Sequence, residues 1–352
     1  MPDWTKSMKQ TFEYYIVDPE SWCDKTPLND VIQSNIEWDA DADTLGSASF
    51  DVSSILGECY VRVYLITIQN GISEKFPMGT FLVQTPKSTF DGRYQKVSID
   101  AYTPLLELKE GLPPLGYSIL KGGNVMSNAY KIVRDNARAP VIETSVSDKL
   151  HSDFIANTSD TWLTFIKDLI ANAKYNIGLD ELSRILFLPD QDAASLQPVW
   201  TYTDDNSSIL YPDISIDHDI YGIPNVVEVY YSGSHDNYSA RVVNNDPNSP
   251  TSTINRGREI VHRVTDPQFS GEPTDRQIKD YATSLLSQLS SVEYTISYSH
   301  GYCPVRLYDC VRLNYERAGL IDIKAKVTRQ SIECKPGCKV TETAVFTTKL
   351  WR

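Results

Sequence analysis

The residues most suggestive of metal chemistry are Asp39-Ala40-Asp41-Ala42-Asp43, whose alternating carboxylates match the opening of a calcium loop. Such a loop needs Gly at its sixth position and a bidentate Glu at its twelfth. Thr44 and Phe50 stand there instead, so the run reads as a solvated acidic loop after Trp38. The six cysteines are Cys23, Cys59, Cys303, Cys310, Cys334 and Cys338. A zinc ribbon would show two tight two-residue spacings, and neither is present. Cys334 and Cys338 flank Lys335-Pro336-Gly337, where oxidation across a hairpin mouth is conceivable, but reduced packing is the preferred reading. The five histidines (His151, His218, His235, His262, His300) are dispersed, and the only suggestive cluster is Asp217-His218-Asp219, with a carboxylate on each side of the imidazole. No nucleophile elbow, His-Glu-x-x-His helix or Gly-rich phosphate loop accompanies it. Two carboxylates meeting only in space, as glycosidases use, stay open. Asn157, Asn206 and Asn237 begin Asn-x-Ser matches that have no meaning without a secretory route. No residue receives a catalytic, cofactor-binding or metal-binding role, and the expectation is a non-enzyme.

Such a chain must then act through its surface and its assembly. It has 352 residues, 33 Lys+Arg against 46 Asp+Glu, a formal charge of −13 and 21 Tyr beside 10 Phe. Hydrophobic residues make up 41% and charged residues 22%, which excludes wholesale disorder. An acidic chain is poorly suited to gripping nucleic acid by neutralising phosphate. The start, Met1-Pro2-Asp3-Trp4, lacks a basic region followed by an apolar one, and no stretch is apolar enough to span a bilayer. The expectation is a product of the cytoplasm with no membrane insertion of its own. Charge is uneven: residues 1–110 hold 9 basic and 17 acidic side chains, 111–199 hold 8 and 10, 200–255 hold 1 and 8, and 256–352 hold 15 and 11. The two acidic blocks are expected to lie together in space.

The elements that would position these residues begin with strands. Tyr60 to Ile68, Gly79 to Gln84 and Gln95 to Tyr102 are rich in β-branched and aromatic residues, and Phe90-Asp91-Gly92-Arg93 signals a hairpin. From 112 the period changes. Met126 to Arg138 reads as a helix ended by Pro140, and a second helix capped at Ser159 or Asp160 carries Trp162, Phe165, Ile166 and Leu169. Tyr175–Asp180 and Arg184–Pro189 read as two short strands. Strand character returns at Ile214-Ser215-Ile216 and at Val226 to Tyr231. Residues 232 to about 273 read as a long polar loop, functional, mobile or ordered by a partner. Thr274-Asp275-Arg276-Gln277 is a capping box opening a helix to about 289. Alternating strands follow, with Lys335-Pro336-Gly337 closing the last hairpin.

This order, with several local strings, resembles the hub proteins of phage tails and baseplates. The strings are Met78-Gly79-Thr80-Phe81-Leu82-Val83 with Asp100-Ala101-Tyr102; Gly178-Leu179-Asp180-Glu181 through Pro189; Ile223-Pro224-Asn225-Val226-Val227-Glu228-Val229 with Asn244 to Pro250 and Asn255-Arg256-Gly257-Arg258; and Tyr302-Cys303-Pro304-Val305 with Asp309-Cys310-Val311-Arg312-Leu313. The resemblance covers most of the chain and carries no catalytic residues; the Cys-containing C-terminal hairpin departs from it. It implies an α+β, mainly β fold: two tube-like antiparallel β-barrel domains with a small α+β insertion. Residues 1–111, completed by 199–240, would form the first barrel, 112–198 the insertion, and 241–352 the second barrel with the helix at about 274–289.

The resemblance further implies a structural virion protein, a homotrimer at the distal end of a phage tail. It would adapt a hexameric tail tube to a trimeric tip and form part of the DNA-ejection channel. Partners would be the tail tube or a distal tail protein, a tip, spike or fibre protein, and a tape measure protein, with DNA passing through without specific binding. The protein would be made in the host cytoplasm and reside at the tail tip or baseplate of the virion. A lumen lined by carboxylates would keep DNA from sticking, and surface tyrosines would suit broad polar interfaces. Two other readings compete: a tail-associated cell-wall or polysaccharide hydrolase with convergent carboxylates, and a receptor- or carbohydrate-binding tail module.

Overall fold

The computed structural model describes residues 1–351 apart from 54–55, 91, 93–94, 145–147, 219, 234–235 and 270–271. The fold is mainly β and divides into two units, Met1–Ile214 with Ser297–Ala344, and Ser215–Ile296 with Val345–Arg352. The first unit holds 25 Lys+Arg against 35 Asp+Glu, so most of the net charge resides there. Residues 215–255 fall outside it, so the two acidic blocks are only partly joined.

Residues far apart in sequence build the first unit's sheet. Its strands run in the order Leu320–Glu333, Val31–Asp39, Gly46–Val52, Gln95–Tyr102, Ile72–Phe90, Tyr60–Gln69, Lys9–Val17 and Asp24–Pro27. Each neighbouring pair is antiparallel. Cys310–Tyr315 pairs with the beginning of Leu320–Glu333, and Trp200–Thr203 joins it in parallel. The basic excess of the last third finds its partners through this arrangement. Arg329 pairs with Asp39, Arg306 with Glu181, Lys326 with Asp190 and Arg317 with Asp204. The charge asymmetry along the chain is thus partly a record of which segments meet.

The hairpin expected at Phe90-Asp91-Gly92-Arg93 is closed by the pair Phe90 and Gln95, which leaves a four-residue connection. Gly92 takes a φ of 92°, while Asp91 and Arg93 lie outside the described residues. Tyr60 to Leu65 are buried without interruption, because the strand is covered on both faces and alternation is not required of it.

Among the described residues the first unit holds the α-helices α1 (Leu105–Glu110), α2 (Val125–Asn136) and α3 (Trp162–Ala171). The first was not evident from periodicity, being shorter than two turns. The cap of α3 is Thr161 rather than Ser159 or Asp160. Thr161 Oγ1 accepts from Thr164 N, while Asp160 accepts from Asn157 N and so serves the preceding turn. Tyr175–Leu179 and Ile185–Pro189 form the expected antiparallel pair. The helices share one apolar core with the sheet: Met126, Phe165 and Leu169 cluster with Val17, Tyr60 and Leu82. The turn at 180–183 adds a polar clasp. Ser183, fully buried at φ 56°, accepts the Thr80 backbone N–H at 2.8 Å. The Leu182 carbonyl accepts from Thr80 Oγ1 and Trp22 Nε1. Buried Arg62 completes it, donating to Thr80 Oγ1, Asp24 and the Trp22 carbonyl.

In the second unit Val226–Ser232 lies between Asn237–Val243 and Val261–Thr265. Helix α5 (Asp275–Leu289) opens with the Thr274–Gln277 capping box and buries Ile278, Ala282 and Leu286 against Val227 and Val229. Residues 232–273 are therefore not one loop. They supply two strands and a short helix, α4 (Thr253–Arg256), with its left-handed cap at Gly257. Their polarity misleads because the packing is polar. Fully buried Asn244 donates to Ser249 Oγ, and fully buried Asn225 both accepts from Ile260 N and donates to the Arg258 carbonyl. Of the twenty described tyrosines six are buried, eleven half-buried and three (Tyr211, Tyr221 and Tyr230) exposed, so most of the tyrosine excess lies where core meets surface.

Candidate functional site

Alternation on four neighbouring strands produces the most distinctive surface of the first unit. Ile36, Phe50, Ile99 and Ile332 face the core. The opposite register is polar in every strand, because successive side chains point to opposite faces. Register places Glu333 opposite Asn35, Asn35 opposite Ser49 and Ser49 opposite Asp100. The adjacent row runs Ser331, Glu37, Ser47, Tyr102. These eight residues, with Gln33 and Ala48, line a groove of about 570 Å³. Glu37 and Asp100 are open to water, and neither row contains a Lys or Arg. Lys335, beyond the end of the strand, pairs with Glu333. The two rows consist of small hydroxyls, an amide, carboxylates and the Tyr102 phenol, and the next row in register is Arg329 paired with Asp39.

Beneath it lies a sealed polar knot. Glu342 is fully buried and receives four groups: Tyr298 Oη at 2.7 Å, Tyr202 Oη at 3.1 Å, Gln330 Nε2 at 2.6 Å and His300 Nε2 at 3.3 Å. Burial alone would push His300 down, but the Glu342 carboxylate outweighs it and raises the imidazole to about 10. Burial would conversely raise Glu342, and the His300 charge holds it below the ordinary carboxylate range. Both shifts favour the ionised forms of the pair. Cys303 Sγ sits 3.2 Å from Tyr202 Oη and 3.9 Å from His300 Nδ1. Cys, His and Glu together have the composition of a nucleophile, a base and its orienting acid. The geometry does not support that use. His300 Nδ1 already faces the Gly301 carbonyl at 2.6 Å, and His300 and Glu342 are inaccessible to solvent.

The other sequence candidates are scattered. Asp39 caps Asp41 N and pairs with Arg329, and Asp43 pairs with Lys109 at 2.8 Å. The acidic loop thus carries two ion pairs rather than being merely solvated. His218 stacks on Tyr294 with ring centroids 4.8 Å apart, while Asp219 and His235 lie outside the described residues. Among the described residues no group of three or more His, Cys, Asp or Glu is placed to hold a metal ion. Glu342 and His300 were not singled out from sequence. The available signal was register: Val340, Glu342 and Ala344 alternate inward, as do Ile296, Tyr298 and His300.

No known family model and no curated protein matches the chain. Solved structures do match. A tail protein from Neisseria meningitidis MC58 superposes with a TM-score of 0.62 at 12% identity, over 95% of this chain and 96% of that one. The 43 kDa tail protein of prophage MuSo2 from Shewanella oneidensis gives 0.61 at 8% identity, over 96% and 97%. The chain has the fold of phage tail proteins. The likeness spans nearly the full length of both chains, so the tail-protein fold includes the insertion and the second unit. The resemblance drawn from the sequence strings holds at the level of this fold. Two of those strings supply polar pins in this chain: Asp180 holds Leu182 N and Arg184 N, and Arg256 holds the carbonyls of Ile220 and Ile223.

Proposed function

We propose that the chain is a non-enzymatic structural protein of a phage tail, a trimeric hub at its distal end. It joins a hexameric tail tube to a trimeric tip, spike or fibre protein, and the polar sheet face lines the passage for DNA. The observation that carries the reading is the pair of cross-strand rows ending in Glu333 and Asp100 and containing Glu37, without a Lys or Arg in either. A conduit for DNA must not hold phosphate, and a wall of carboxylates and small hydroxyls does not. The tail proteins of like fold from two bacteria support the setting. In this reading each subunit supplies two tube-like β domains, so three copies present six, and the tape measure protein and tail tube are neighbours.

The groove also collects three carboxylates, the feature a polysaccharide hydrolase would need. It lacks the apolar pocket that usually sets a general acid apart from its partner. A zymogram with purified protein against cell-wall material separates the readings, and clearing would favour the hydrolase. Native mass measurement tests the hub. A subunit of 39.7 kDa should give a species near 119 kDa, alone or with a tail-tube partner. A two-fold dimer in both conditions overturns the hub.

A further inference from the structure

We propose that Cys334 and Cys338 are an oxidative modification site, a disulfide that staples the hairpin between Leu320–Glu333 and Lys339–Lys349. Cys334 follows the last residue of one strand and Cys338 precedes the first of the next. Between them Lys335-Pro336-Gly337-Cys338 forms a tight turn, closed by Cys338 N donating to the Lys335 carbonyl at 2.9 Å. Pro336 presets the first corner and Gly337, at φ 92°, takes the second, as a type II turn requires. Both flanks are anchored: Cys334 N donates to the Ser34 carbonyl, and the Cys338 carbonyl accepts from Tyr302 N, each at 3.1 Å. Cys338 holds φ 26°, unusual for a residue with a Cβ, and its side chain is fully buried; Cys334 is 7% exposed. Both thiols are thus buried at the mouth of one turn. Burial, followed by the neighbouring Cys334 sulfur, raises the Cys338 thiol. Cys334 Sγ lies 4.0 Å from the Ile332 carbonyl, while Cys303 meets Tyr202 Oη and Cys310 the Ala193 carbonyl.

The chemistry requires a disulfide oxidant such as oxidised glutathione. One cysteine thiolate attacks it, forming a mixed disulfide and releasing one glutathione thiolate. The second cysteine thiolate attacks the protein sulfur of the mixed disulfide, closing the Cys334–Cys338 bond and releasing the other. Two protein thiols lose two protons and two electrons, and one oxidised glutathione becomes two reduced molecules. Burial pushes the Cys334 thiol up to about 12, so thiolate is scarce near neutrality and closure is slow.

The test uses the full folded chain. It is incubated with oxidised glutathione at pH 8 and at pH 9.5, acid-quenched, unfolded, alkylated and peptide-mapped. The expected product is lighter by about 2 Da, with Cys334 and Cys338 joined in one peptide and protected from alkylation. Its rate should rise about tenfold per pH unit, following the thiolate fraction. Cys23, which is exposed, reports when the oxidant has acted. Full alkylation of both residues after a pH 9.5 incubation continued far beyond the consumption of Cys23 overturns the proposal, as does a bond mapped to Cys303. Cys338→Ser should leave Cys334 with at most a glutathione adduct, and the wild-type map decides the matter if that variant fails to fold.

Discussion

Glu342 shows how a single residue can constrain a β-rich core. A carboxylate in a dry interior is costly unless charge and hydrogen bonds surround it, and here an imidazolium, two phenols and an amide do so. Removing one partner leaves the other charge buried, which typically costs about 3–5 kcal/mol. Glu342→Gln should therefore lower unfolding stability by that order in chemical denaturation, and more than His300→Gln combined with Glu342→Gln. The pair also fixes a pH profile. His300 is raised from 6.5 to about 10, so its contribution is complete below pH 6.5 and is lost as pH climbs toward 10. Glu342 is depressed from 4.5, so its contribution is complete above that value and is lost as pH falls below it. Wild-type stability should decline between pH 7 and 10, and the double variant should show a flatter decline over that range. Equal slopes would mean that His300 is neutral in the fold.

At the scale of elements, the clasp between the 180–183 turn and Thr80 ties the insertion to the sheet through hydrogen bonds. Thr80 N is buried, and its partner is a side chain held at a positive φ. Ser183→Ala keeps the apolar contacts but orphans that N–H, at a cost of about 1–3 kcal/mol. Proteolysis under native conditions should then cut the 174–190 hairpin faster, whereas an unchanged cleavage rate would place the attachment in the shared apolar core alone. Much of this level was legible in sequence. The Thr274–Gln277 box, the Trp162 to Leu169 stripe and the Lys335-Pro336-Gly337 turn are local signals, and the structure contains them. What was not legible depends on partners distant in sequence. Residues 232–273 look like a loop because Asn225, Asn244 and Ser249 pack through hydrogen bonds rather than apolar area. The polar sheet face is visible only once residues 31–39, 46–52, 95–102 and 329–333 are set side by side.

For the whole molecule, the question is what the acidity does. The first unit carries most of the net charge even after the basic residues near the C-terminus pair with Asp39, Glu181, Asp190 and Asp204. Carboxylates in ion pairs contribute little to a distant phosphate, because screening at 0.1 M salt acts over about 10 Å. Glu37 and Asp100 on the open rows act at contact range, where DNA in a passage would meet them. Replacing Glu37, Asp100 and Glu333 by Lys adds two charges per site and changes the formal charge from −13 to −7. The fold should tolerate this, since Glu37 and Asp100 are exposed and the core lies on the other face. In fluorescence anisotropy the wild type should not bind duplex DNA at 50 mM salt. The triple variant should bind, with an affinity that falls as salt rises because counterions are no longer released to advantage. A matched variant with three exposed carboxylates of the second unit reversed changes the net charge equally but leaves the rows acidic. If the rows are the passage wall, phage carrying the first variant should eject genome more slowly than phage carrying the second. Equal kinetics would show that net charge, and not this face, governs passage.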